Sequence, residues 1–425
     1  MSSFNAEQDR EELVESQVRR LGDMLVPVLR DNAFYRRKLT DAGLSLPGDV
    51  RTLDDYRRLP FTTKAELSAD QDAHPPYGTN LTYPLRDYIR VHQTSGTTGR
   101  PLRWLDTRQS WDWFAGCWRR VFDGAGLASG DRLFFAFSFG PFIGFWTAHE
   151  AARLIGAMAI TGGSMSSTQR LHAIEEHRAT VLVCTPTYAL HLAEVAETEG
   201  IDIAGSSIRA TIHAGEPGAG LPATRRRIEE AWGARCYDHA GATEVGAWGF
   251  ECRARNGMHV NEAEFICEVI DPDSGEPADD GELVLTNLGR VGMPVIRYRT
   301  GDRVSRAKRA CPCGSGFLRL ENGVIGRIDG GIIIRGIVIY PSAVENVVRS
   351  FPEITEFAVD VYRRRSLDEM EIRVEVRGES SDSVAGDVAR EARRNLGFRV
   401  GVRAVGPNTL PRFELKARRF TDHRH

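Results

Sequence analysis

No apolar run in the 425-residue chain approaches the ~20 residues that a membrane-spanning helix needs, so no spanning segment is expected. Met1–Gly22 is charged and helix-like and lacks the apolar centre of a secretory signal. Cysteine is sparse. Seven residues, an odd number in so long a chain, do not suggest a disulfide framework and point to a reducing compartment, with the cytoplasm as the default. A strong charge of one sign is also missing. A formal net charge of −3 disfavours a nucleic acid as the main partner, and the clusters Arg225–Arg227 and Arg363–Arg365 read as solvated faces. There is no internal repeat and no low-complexity tract. What is present is an ordinary globular composition, 41% hydrophobic and 27% charged, in a chain long enough for two or three domains.

The apolar spacing predicts helix over Ala6–Leu39, with Pro27 marking a break between two helices. Thr63 is placed to cap a helix that begins at Lys64. From Thr107 to Trp232 helices alternate with short apolar strands, among them Arg132–Phe137, Ala157–Ile160, Val181–Cys184 and Ile208–His213, which implies βαβ units and a parallel sheet. After Met258 the pattern changes to short strands, Phe265–Ile270, Gly281–Asn287 and Val295–Tyr298, with turn-rich connections: an antiparallel β-subdomain. From Asp329 onward a smaller α+β unit follows. The expected fold class is α/β: a large N-terminal domain (1–328) of mixed α/β sheets, whose 253–328 part includes the β-subdomain, and a small C-terminal domain (329–425).

Several stretches carry chemistry. Ser95, Gly96, Thr97, Thr98 and Gly99, inside VHQTSGTTGRPLRW, form a hydroxyl- and glycine-rich loop whose N–H and O–H groups suit phosphate oxygens. It is not a P-loop, which requires four residues between its glycines and a Lys before Ser or Thr. HAGEPG (His213–Gly218), YDHAGATEVG (Tyr237–Gly246), YRTGDR (Tyr298–Arg303), GRIDGGIIIRG (Gly326–Gly336) and LPRFELKARRF (Leu410–Phe420) follow in that order. Cys252, His259, Cys311 and Cys313 form a C-x6-H, then C-P-C-G, pattern of preferred zinc ligands. Two unrelated free-thiol pairs are the alternative. Cys117, Cys184, Cys236 and Cys267 sit in apolar contexts as core residues. Phe137, Phe139, Phe142, Ile143 and Trp146, with Ala214, Ala240 and Gly241 as small neighbours, read either as plain core or as the wall of a flat aromatic slot.

Together these stretches resemble the adenylate-forming superfamily of acyl-CoA synthetases, in its phenylacetate–CoA ligase branch. NAFYRRKL, LPFTTK, TPTYALHLAE and DHAGATEVG are similar to that branch over nearly the whole chain. The resemblance implies ATP- and Mg²⁺-dependent adenylation of an aromatic carboxylic acid, followed by thioester formation with CoA. Joining two anions in the first step demands cationic and N–H stabilisation and accurate positioning.

The resemblance also implies roles by residue. Ser95–Gly99 would hold the β- and γ-phosphates, with Arg100 where the branch typically has Lys. Thr243 would bond the α-phosphate and Glu244 would coordinate Mg²⁺. Ala214, Gly215, Glu216 and Pro217, with Tyr237, Asp238 and His239, would line the adenine slot. Asp302 and Arg327 would hold the ribose, and Lys416, preceded by Leu415, would act in the first step. Asp329 would be the hinge of a mobile small domain that presents Arg335 and Gly336 to CoA, and the four-ligand zinc site would be structural. A homodimer is compatible with the resemblance. The rivals are transfer of the acyl group to a carrier-protein thiol or an amine, and a nucleotide-binding relative without ligase activity.

Overall fold

The computed structural model describes residues 6–94, 101–328, 330–334, 337–364, 367–378, 381–413 and 417–424. The chain divides into two compact units, each discontinuous in sequence: 1–163 with 239–323, and 164–238 with 324–425. Among the described residues no helix is long and apolar enough to cross a membrane.

The first unit opens with the helix Ala6–Asp31, which runs through Pro27 rather than breaking there. The break comes at Asn32, whose side chain accepts the Tyr35 N–H at 3.0 Å and starts the helix Ala33–Asp41. A proline removes one rung of the helical ladder, whereas a capping side chain rewards leaving it. Asn32 is fully buried, and its Nδ2 donates to Asn80 Oδ1 and Thr82 Oγ1, so tertiary partners fix the break. Thr63 caps Lys64–Ala73 as expected, with Glu66 completing the box.

The strands Tyr88–Gln93 and Arg103–Thr107 pair antiparallel and lead into the helix Arg108–Ala125. That helix buries Trp111, Phe114, Trp118, Val121 and Phe122, a stripe at helical spacing. Arg132–Phe135 pairs in parallel with Met158–Thr161 across the helix Trp146–Leu154, the parallel arrangement that a helical crossover permits. The residues His239–Ala242, Gly246–Phe250, Met258–Val260 and Arg319–Leu320 form an antiparallel ladder. The strands Phe265–Ile270, Asp280–Asn287 and Tyr298–Ser305 form another, the expected β-subdomain.

One strand expectation fails there. The strand starts at Tyr298, and Val295–Arg297 is irregular. Side chains take the N–H groups that a ladder would have used: Asn287 Oδ1 accepts from Val295, the Tyr35 hydroxyl from Ile296 and Thr286 Oγ1 from Arg297. Arg297 itself has φ +44°.

In the second unit, parallel strands Val181–Cys184, Ala210–His213 and Arg235–Asp238 alternate with the helices Ser167–Glu176, Pro186–Glu199 and Pro222–Trp232. Gly200, in the left-handed region at φ 68°, ends the second of these helices. Beyond residue 324 come the hairpin Ile332–Ile334/Ile337–Ile339, the helix Pro341–Arg349 and the helix Ser381–Leu396. They pack with a four-stranded sheet ordered Gly401–Val405, Leu367–Val376, Ile354–Arg364, Phe420–Asp422. Val344, Val348, Ile354, Val359, Ile372, Val374 and Val388 are fully buried at its centre. The last strand, absent from the sequence expectation, runs parallel to Ile354–Arg364. It follows Arg419, which is buried and holds Glu356 at 2.7 and 3.1 Å.

Candidate functional site

Thr243 and Glu244 sit in the turn between the strands Arg235–Ala242 and Gly246–Phe250. Thr243 is half-buried and Glu244 buried, and the Tyr298 hydroxyl lies 3.4 Å from Glu244 Oε1. Among the described residues this long contact is the one side-chain hydrogen bond to Glu244, whose remaining acceptor capacity suits one ligand position of a hard cation. Asn287 Nδ2 donates to the Val245 carbonyl at 3.0 Å and Arg290 donates to the Thr243 carbonyl. Asp302, on the strand Tyr298–Ser305, is half-buried, and its N–H donates to Thr300 Oγ1.

His239 is buried. Its ring lies 4.1 Å from that of Trp118 and its Nδ1–H donates to the Gly249 carbonyl at 2.6 Å. Burial pushes this imidazole down to about 4, so it is neutral at physiological pH. Ala240 is half-buried and Gly241 exposed.

The aromatic residues do come together. Phe139 meets Trp146 edge-on at 4.8 Å and Phe137 at 5.5 Å, and Phe137 meets Phe145 at 5.3 Å. Ile143 is buried and Phe142 half-buried beside them in sequence. Phe139 has φ +47°, a region that a bulky residue enters only when its surroundings demand it. Trp146 Nε1 donates to the Gly140 carbonyl, which ties the ring pair to the loop backbone.

The four zinc-type donors also converge, all within 4.8 Å of one another. Tetrahedral bonds of about 2.3 Å to sulfur and 2.0–2.1 Å to nitrogen place ligand atoms about 3.8 Å (S···S) and 3.5 Å (S···N) apart. Cys252 Sγ and Cys311 Sγ are 3.6 Å apart, and Cys313 Sγ and His259 Nε2 are 3.5 Å apart. The donor set therefore fits a closed zinc site. His259 lies on the strand Met258–Val260, and the Cys311–Gly314 turn precedes its partner Arg319–Leu320. Burial pushes the Cys252 thiol up to about 12 and His259 down, so each favours its neutral form when no cation is bound.

In the second unit, His213 ends the strand Ala210–His213. Its Nδ1–H donates to the Cys184 carbonyl and its Nε2 accepts from Thr211 Oγ1 at 2.8 Å. Burial holds it at about 4. Ala214, Gly215, Glu216 and Pro217 follow as an irregular loop. Glu216 is half-buried, with Oε1 accepting the Thr187 N–H and Oε2 the Ala417 N–H. Tyr237 is buried and Asp238 half-buried on the neighbouring strand, and Arg327 is exposed. Ser95, Gly96, Thr97, Thr98, Gly99, Arg100, Asp329, Arg335, Gly336, Leu415 and Lys416 lie outside the described residues.

The sequence reading missed Asp106, Asn287 and Arg290, which hold the Thr243–Val245 turn. The available signal was weak: a lone charged residue inside an apolar run, as in Trp104-Leu105-Asp106 and Leu288-Gly289-Arg290-Val291.

Residues 336–424 match the family model of the AMP-binding enzyme C-terminal domain. A phenylacetate–coenzyme A ligase of Thermus thermophilus is 33% identical over 98% of this chain and 97% of its own length. One of Escherichia coli is 32% identical over 98% and 96%. A 2-hydroxyisobutyryl-CoA ligase solved in the postadenylation state with its acyl-adenylate superposes with a TM-score of 0.90, at 31% identity, over 96% of this chain and 89% of that one. The chain belongs to the phenylacetate–coenzyme A ligase family of adenylate-forming enzymes, and with it to the AMP-forming acid–CoA ligases.

Proposed function

We propose that the chain adenylates an aromatic carboxylic acid at the expense of ATP and passes the acyl group to the thiol of CoA. The observation that carries the choice of acid is the ring cluster of Phe137, Phe139 and Trp146, whose edge-to-face geometry suits a further ring. Phe142, Ile143, Ala240 and Gly241 belong to the same proposed slot.

In this reading Thr243 donates to the α-phosphate and Glu244 holds Mg²⁺, which when bound supplies charge neutralisation between ATP and the carboxylate. Asp302 accepts the ribose hydroxyls with Arg327 assisting. The Ala214–Pro217 loop, Tyr237, Asp238 and His239 serve adenine. Ser95–Gly99, Lys416, Asp329, Arg335 and Gly336 keep the roles that the resemblance implies, and the small domain from residue 329 moves between the two steps. Cys252, His259, Cys311 and Cys313 hold a structural zinc.

The test is acid-dependent pyrophosphate release over phenylacetate, benzoates, heteroaromatic acids and 2-hydroxyisobutyrate, each with and without CoA. Turnover with an aromatic acid and formation of its CoA thioester are expected. Preference for 2-hydroxyisobutyrate would overturn the aromatic assignment. Pyrophosphate release that never yields an acyl-CoA would overturn the acceptor.

A further inference from the structure

The turn that carries Thr243 and Glu244 is gripped from outside its own hairpin. Arg290 does most of the gripping. Its Nε and Nη2 donate to the two oxygens of Asp106 at 2.7 and 2.6 Å, and its Nη1 donates to the Thr243 carbonyl. Both side chains of the ion pair are 0% exposed. The guanidinium carbon lies 5.5 Å from the Trp104 ring and 5.3 Å from the Phe114 ring. Next to Arg290, Gly289 lets the backbone pass close to Trp113, because a Cβ there would fall 2.1 Å from Trp113 Cδ1. Two residues flank the grip: Asn287 holds the Val245 carbonyl, and the Tyr298 hydroxyl faces Glu244.

A fully buried ion pair is an expensive way to stabilise a core, since well-packed apolar side chains often do as well. What apolar side chains cannot supply is a donor aimed at a particular carbonyl. Lysine cannot supply it in the same way either, because a point charge lacks the planar fork that meets a carboxylate on one edge and a carbonyl on another. Asp106 fixes the plane of the guanidinium, and the guanidinium fixes the Thr243 carbonyl.

We infer that Arg290, oriented by Asp106, is a positioning residue that holds the Thr243–Glu244 turn in the conformation that binds magnesium-loaded ATP. The inference rests on the reading of Glu244 as the magnesium residue. Arg290 itself touches neither nucleotide nor metal in this role. It acts through the turn.

The test compares ATP affinity in Mg²⁺ with that in EDTA by titration calorimetry, which needs no acid substrate. The wild type is expected to bind ATP more tightly with Mg²⁺. In Arg290→Lys, and in the charge-free double variant Asp106→Asn/Arg290→Met, that ratio is expected to shrink about tenfold, the loss of one well-placed hydrogen bond. Affinity in EDTA is expected to change little in the double variant, which leaves no unpaired buried charge, while its melting temperature falls by the cost of an unpaired amide at position 106 and an unpaired Thr243 carbonyl. If the double variant does not fold, Arg290→Lys, which keeps the charge beside Asp106, carries the test.

An unchanged ratio in a folded variant overturns the positioning role. Glu244→Gln separates the two claims. If Glu244→Gln keeps the wild-type ratio, the reading of Glu244 is wrong. If it loses the ratio while the Arg290 variants keep it, only the inference about Arg290 is wrong.

Discussion

Glu216 accepts the backbone N–H of Ala417 at 2.8 Å, one residue after Lys416. The other oxygen of the same carboxylate accepts the Thr187 N–H at the start of the helix Pro186–Glu199. One side chain of the HAGEPG loop thus ties the end of the chain to a helix that precedes it by more than two hundred residues. A hydrogen bond to a charged group is worth roughly 1.5–3 kcal/mol, enough to hold a terminal segment closed most of the time. Glu216→Gln turns one acceptor into a donor facing an N–H. Hydrogen exchange at the Ala417 amide is then expected to accelerate at least about tenfold, followed by mass spectrometry. An unchanged rate would show that other contacts, such as Arg419 with Glu356, hold the tail alone.

The zinc proposal predicts close to one equivalent of zinc in protein purified without chelator. It also predicts a fall in melting temperature of several degrees, on the order of 1–2 kcal/mol, when zinc is stripped. Cys311→Ser should lose metal to a chelator that leaves the wild type loaded. Metal analysis showing no zinc in protein grown with zinc would end the proposal.

Asn32→Ala is expected to cost about 2–4 kcal/mol, because it removes a helix cap and strands the buried groups of Asn80 and Thr82. Urea unfolding measures it. Pro27→Ala is the control, expected to leave two helices and their junction as they are.

The buried histidines His213 and His239 set an acid limit. Each has a folded value near 4, against 6.5 for the free group, so the unfolded chain takes up its proton first as pH falls. Their contribution is complete above pH 6.5 and lost progressively towards pH 4, about 3 kcal/mol for each ring. The urea midpoint should therefore drop between pH 7 and pH 5, and less steeply in His239→Gln than in the wild type.

What was legible in the sequence was either local or a matter of residue type. Thr63 with Glu66 reads as a cap because the two side chains serve a turn three residues long. Phe265–Ile270 keeps its expected bounds because flanking turns punctuate it. The cysteine–histidine set was legible as a cluster from its C-x6-H and C-P-C-G spacings, and its four donor atoms do converge. The Asp106–Arg290 pair joins residues 184 positions apart, and neither carries a pattern until the other is known. Pro27 misleads for a related reason: its signal is local, whereas the break at Asn32 depends on partners 48 and 50 residues away. The strand expected at Val295 fails because Tyr35 and Asn287 claim its N–H groups from distant positions.

The strand Arg235–Ala242 passes from one unit to the other at its midpoint, and neither unit is a continuous piece of chain. Order of synthesis is constrained accordingly. When residues 1–163 leave the ribosome, the ladder His239–Ala242/Gly246–Phe250 and the β-subdomain that complete their unit do not yet exist. Residues 164–238 likewise wait for the sheet that closes with Phe420–Asp422. Until those segments are made, apolar faces that they cover in the finished fold stay open, and exposed apolar surface favours aggregation.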